Sequence, residues 1–264
     1  MATNIEISHL TIDVYRPLTE RIGYGRFLPF GVGIDNVDTG LRMQAYHDRA
    51  KLETVIVTGG PDAATASQLG ITTTQSSPLY TQAIDYANAM AQNPQLENNQ
   101  FITTGHQLGG TVAHLLAHTF GWNGLATDAT SALLISQDSD YQDHLTTQNI
   151  TAKNSEKFIN VTQDNGQAVA TQYSGQNMQS VVNKDIGKRL LPGLMLIGAD
   201  ATALAMGQPL TNAAVVTQQA VQHTERKQQV PQEKSDNHST VSFEENQTGE
   251  PQLESEAVAT PTAL

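Results

Sequence analysis

The chain contains no cysteine. That excludes a disulfide framework, a thiolate nucleophile, and zinc or iron–sulfur sites built on sulfur. Basic residues are scarce, with 14 Lys and Arg against 26 Asp and Glu in 264 residues, for a formal charge of -12. Phosphate backbones are held by clustered cations that release counterions, so nucleic acid is excluded as a partner class. Charge-driven docking on an anionic membrane is excluded on the same ground. Aromatic residues make up only 5% of the chain. Long apolar runs are missing too. The most apolar stretch, Leu190 to Met206, is interrupted by Pro192 and Asp200. It falls short of the roughly 18 uninterrupted apolar residues of a membrane span, and reads as a buried helix or strand. The first nine residues have neither a basic nor an apolar region of the kind a Sec-type signal peptide needs. The expectation is therefore a cytoplasmic protein, or one exported without such a signal.

What is present divides near residue 224. Residues 224–264 are rich in Gln, Glu, Ser, Thr and Pro, with three basic and eight acidic side chains. Such a segment cannot bury enough apolar area to offset its ordering entropy, so a disordered acidic, polar tail is expected. Residues 1–223 alternate between two periodicities. Thr54–Thr58, Gln100–Thr104, Gly124–Asp128 and Lys157–Thr162 read as strands. Ser77–Gln92 carries Leu79, Tyr80, Ala83, Ile84, Ala87 and Met90 at helical spacing, with Pro78 at the start. Gly109–Phe120 reads as a second helix, closed by Gly121. This alternation predicts an α/β fold with a mostly parallel central sheet flanked by helices.

Between the second strand and the helix after it lies Gly105-His106-Gln107-Leu108-Gly109-Gly110. Glycines at that spacing allow a sharp reversal that presents the central residue and aims the next backbone N–H from a helix N-terminus. The stretch Thr103 to Ala117 resembles the nucleophile elbow of class 3 (fungal-type) lipases, in the α/β-hydrolase superfamily. Val55-Ile-Val-Thr-Gly-Gly60 resembles that family's strand ending in Arg-Gly-Thr, and Gln75–Ala87 its helix leading into the elbow strand. The likeness is clear over residues 50–130. It implies an α/β-hydrolase-like domain over residues 1–223 and a lipid or carboxylic ester as ligand. It further implies an oxyanion site at the backbone of Leu108 and Gly60, and a triad in the order nucleophile, acid, histidine, with no cofactor or metal.

Two departures bear on activity. Gln107 stands where the family has serine, and a delocalised carboxamide nitrogen is a poor nucleophile that no neighbouring base can activate. Thr58-Gly59-Gly60 replaces Arg-Gly-Thr, removing a charge and a hydroxyl from the oxyanion loop. For the acid, Asp164 follows the strand Phe158–Thr162, although Asp164-Asn165-Gly166 also suits an Asx turn. Asp128, after the third strand, competes with it. His223 is the histidine that follows Asp164 ahead of the tail, and a solvated helix end is its alternative. His106 reads as a packing residue of the elbow. His114 and His118 lie at i, i+4 without the glutamate of a metalloprotease motif. Asp138, Asp140 and Asp143 near His144 lack the calcium-loop glycine and terminal glutamate and read as a solvated loop.

Three functions follow. The first is a lipase-like domain, catalytically inactive as written. The second is an active ester hydrolase whose serine has been substituted. The third is a non-catalytic interaction protein that works through its tail. The central elbow residue is expected at positive φ, which glutamine does not relieve. A strained Gln107 between intact glycines points to a recent or imposed substitution.

Overall fold

The computed structural model of the chain describes residues 1–155, 157–164, 167–175 and 179–183, with Gln163, Asp164, Gln167, Ala168 and 179–183 described by backbone alone. His223, the apolar run 190–206 and the tail 224–264 lie outside the described residues.

The described residues fold around one eight-stranded sheet whose spatial order is its chain order. The strands are β1 (Leu28–Asp35), β2 (Arg42–Asp48), β3 (Glu53–Gly59), β4 (Gln100–His106), β5 (Asn123–Thr127), β6 (Phe158–Asp164), β7 (Gln167–Ser174) and β8 (Gln179–Asn183). Pairing from β3 through β6 is parallel. The two outer pairings on each side are antiparallel. The expectation of a mostly parallel sheet is corrected accordingly: a four-stranded parallel centre is flanked by antiparallel strands. The reason is local. Short connections, such as Asp48 to Glu53, can only return the chain antiparallel, whereas parallel neighbours need a crossover of a dozen or more residues.

The helices are α1 (Asn4–Asp13), α2 (Ala63–Gln68), α3 (Pro78–Ala91), α4 (Leu108–Phe120), α5 (Leu133–Gln137) and α6 (Ser139–Thr147). Crossovers between parallel strands are almost always right-handed. With strand order following chain order, that rule puts every crossover helix on one face. The packing agrees. Leu79, Tyr80 and Ile84 of α3, Val112, Leu115 and Leu116 of α4, Ile135 of α5 and Tyr141 of α6 share one core with Met43, Ala45 and Ile56 of the sheet. The opposite face packs Ile7 and Leu10 of α1, with Val14 just beyond it, against Tyr46, Val55, Val57, Ile102, Leu125 and Val161. β3 is central, and the β-branched Val55, Ile56 and Val57 fill both faces by alternation, all fully buried.

Ser77 precedes α3 and Pro78 occupies its first turn. Gly121 closes α4 at φ 73, a left-handed position that suits glycine. Asp138 is not in a solvated loop. It is the N-cap of α6, its carboxylate accepting from the N–H groups of Asp140 and Tyr141 at 3.1 and 3.4 Å. The acidic group is therefore the start of a helix, and His144 reaches Asp85 on α3 at 2.9 Å.

Candidate functional site

Parallel strands deliver their following loops to one edge of the sheet. Register aligns Thr58 with Gly105, His106 with Thr127, and Thr127 with Val161. The residues after β3, β4 and β5 thus meet at the carboxyl edge, where open α/β sheets bind ligands.

Gln107 joins β4 to α4 at φ 50 and ψ -121. Its backbone is pinned from both sides: its N–H donates to the Thr127 carbonyl at 2.9 Å, and its carbonyl accepts from Thr111 N–H at 3.0 Å. For a non-glycine residue this region is sparsely populated and costs on the order of 1–3 kcal/mol. The flanking glycines explain why the turn is nevertheless so tight. A Cβ on Gly105 would lie 2.5 Å from the backbone of Gly109, and one on Gly109 would lie 2.4 Å from the Thr58 carbonyl oxygen. Helix and strand therefore approach at backbone distance. Thr58 sits in the seam, its hydroxyl 2.6 Å from the Gly109 carbonyl and 3.0 Å from that of Thr104.

Leu108 is the first residue of α4, and no side chain caps the helix N-terminus. Its early N–H groups carry the positive end of the helix dipole. Gly60 lies against this turn, where an added Cβ would meet Leu108 Cβ at 3.0 Å and Gly109 N at 3.1 Å. The residues expected to form an oxyanion site are adjacent in space. The Thr58 hydroxyl thus serves the seam and not the loop.

A cavity of about 570 Å³ opens beside the elbow. Its walls are Gln107, Leu108 and Thr111 from the elbow, Asp128 and Thr130 from the loop after β5, and Pro61, Ala63, Ala66, Ser67 and residues 70–74 from the segment that carries α2. Three devices shape these walls. The buried Asn160 side chain accepts from Ala129 N–H at 3.0 Å and donates to its carbonyl at 2.7 Å. The Thr111 hydroxyl clasps the Thr130 backbone, accepting from its N–H at 3.1 Å and lying 3.0 Å from its carbonyl. On the far side, the buried Tyr80 donates to the Thr72 carbonyl at 2.7 Å. None of these stood out in the sequence. Asn160 inside an apolar strand was the one available signal, since a buried carboxamide needs partners.

Of the two acid candidates, Asp128 is brought to Gln107. It sits one strand over, at φ 51, and lines the same cavity. Asp164 is the last paired residue of β6, opposite Gln167, not a loop residue beyond the strand. Register places it three residues past Val161 and two strands from β4. His106 is buried. Its Nδ1 lies 2.9 Å from the Thr127 hydroxyl and 4.0 Å from the Asp128 carboxylate. Burial pushes its pKa down, against the opposing pull of Asp128. His114 stacks on Phe158 at 4.4 Å and accepts from Ala132 N–H at 3.3 Å. Burial and the neighbouring His118 push its pKa down to about 3. Its Nδ1 lone pair is committed to the backbone, and the ring works as a core aromatic.

No family model matches the chain, and no curated protein matches it. Among solved structures, the chain is similar to a mutant form of MDLA from Penicillium cyclopium, with 13% identity over 80% of this chain and 92% of that one, at a TM-score of 0.34.

Proposed function

We propose that residues 1–223 form a lipase-like α/β-hydrolase domain that binds an acyl ester beside the elbow and, with Gln107 at the nucleophile's position, does not cleave it. One observation carries the reading: a glutamine held at φ 50 and ψ -121 between a strand and a helix, beside an open cavity. Such a backbone costs a non-glycine residue free energy in a strand–helix turn. It presents a side chain at a helix N-terminus, which is where acyl transfer needs its nucleophile and its oxyanion donors together. The carboxamide can donate a hydrogen bond to an ester carbonyl, but it has no proton whose removal yields an alkoxide equivalent.

The strain at Gln107 favours a second reading, that the residue replaces a serine in machinery that is otherwise intact. A turn long free of catalytic demand would relax toward glycine or asparagine. Both readings meet in one experiment. The chain as written should show no turnover of short-chain p-nitrophenyl esters above buffer. Gln107→Ser should gain turnover if the acid–histidine pair is present, with Asp164 or Asp128 and His223 as its proposed members. A Gln107→Ser protein that is folded and silent overturns the second reading. Turnover by the chain as written overturns the first.

A further inference from the structure

The cavity beside Gln107 is polar in an uneven way. Among the described residues that line it, Asp128 is the one formally charged side chain, and no Lys or Arg is present. The remaining polar lining is a carboxamide, Gln107, and hydroxyls such as Ser67, Thr73 and Thr130. Asp128 is held facing this space by its backbone. It sits at φ 51, its N–H donates to the Val161 carbonyl at 2.9 Å, and the next residue is fixed by Asn160. Its carboxylate makes no ion pair with Lys or Arg among the described residues. At the neighbouring ring, His106, burial disfavours the charged form and outweighs the pull of Asp128.

Against this carboxylate stands the N-terminus of α4, worth roughly half a positive charge. The two poles differ in what they can hold. The helix end suits a carbonyl oxygen, whereas Asp128 suits a cation or a hydroxyl donor. The geometry points to a cavity that selects acyl esters by head-group charge. The ester carbonyl is read at Leu108, a cationic or hydroxyl-bearing alcohol portion is read by Asp128, and anionic esters are rejected. The inference rests on the acyl-ester reading and adds the class of ester and the residue that chooses it.

Three octanoyl esters that differ in the charge of the alcohol portion test it: octanoylcholine, glyceryl monooctanoate and octanoyl isethionate. Their binding to the full chain as written, at pH 7, is measured by calorimetry. Octanoylcholine should bind about fivefold tighter than the glyceryl ester, the range of a half-exposed ion pair, and octanoyl isethionate should bind most weakly. Asp128→Asn should bring octanoylcholine and the glyceryl ester to equal affinity, because the carboxamide loses the charge and keeps a hydrogen-bond acceptor. Asparagine tolerates positive φ as aspartate does. Should that variant lose its native circular dichroism, salt decides on the unaltered chain, because screening must erode the advantage if charge causes it. Equal affinity for octanoyl isethionate, or an advantage that survives Asp128→Asn or high salt, overturns the charge selection and leaves ester binding standing. Failure of all three esters to bind overturns both.

Discussion

Two residues bracket what the elbow tolerates. Gly105 packs its Cα against the Gly109 backbone, which has no flexible end to give way. Gly105→Ala should therefore destabilise the fold by about 2 kcal/mol or more, the scale of overpacking in a close-packed interior, as read by urea denaturation. Gln107→Gly should do the reverse. Glycine takes φ 50 without the steric penalty, and the relief of about 1–3 kcal/mol exceeds the added unfolded-state entropy of about 0.5–1 kcal/mol. A raised melting temperature for Gln107→Gly would show that the turn is held against its preference. An unchanged one would mean that the surroundings have already absorbed the strain.

The helices separate a cap that works from one that does not. At α1, Thr3 and Glu6 form a reciprocal capping box: the Thr3 hydroxyl accepts from Glu6 N–H, and the Glu6 carboxylate accepts from Thr3 N–H at 2.8 Å. Thr3→Ala should cost about 1 kcal/mol. At α3, Ser77 holds the cap position with its hydroxyl buried and without a partner among the described residues. Ser77→Ala should be neutral or slightly stabilising, since it removes a desolvated group and no bond. A loss at Ser77 as large as that at Thr3 would contradict this. The same elements show what the sequence could tell. The strands through Thr54–Thr58 and Gln100–Thr104, and the helices after Pro78 and Gly109, were legible because each carries a strong period and a chemical stop. β1 was not. Its Leu-Pro-Phe-Gly-Val-Gly run is exposed along an edge and broken by a register shift between Phe30 and Ile34, so no alternation survives. α1 was hidden by its weak amphipathicity, with Ser8 and Thr11 buried beside Leu10. At the site, the glycine spacing made the elbow legible. The cavity wall from 61 to 74 has no pattern of its own, because α2 buries none of its residues. Asp128 was visible only as a competitor, because its place beside Gln107 depends on strand register.

Across the whole molecule, buried histidines set the response to acid. The pKa of His114 is pushed down to about 3, and those of His106 and His118 are lowered by burial from an ordinary value of 6.5. A folded pKa below the unfolded one means that the unfolded chain binds more protons between the two. The stabilisation is therefore complete above about pH 6.5 and is lost as pH falls toward the folded values. Glu6 and Asp48 add a second, lower step. Burial raises both, but backbone hydrogen bonds and Arg26 outweigh it and hold them below the ordinary carboxylate range. Denaturant midpoints should decline from pH 7 to pH 5, with each buried histidine contributing at most about 1.4 kcal/mol per pH unit, and decline again below pH 4. A flat profile between pH 7 and 5 would show that the histidines ionise without unfolding the chain. The strand order has a consequence of another kind. Because each strand pairs with the one made just before it, the sheet can assemble in the order of synthesis, without reserving a gap for a later segment. Local order of this type shortens the loops that must close and favours fast folding. It also dates the elbow. The Gln107 N–H has no acceptor until Thr127 emerges, so a nascent chain acquires its strained turn only when β5 docks.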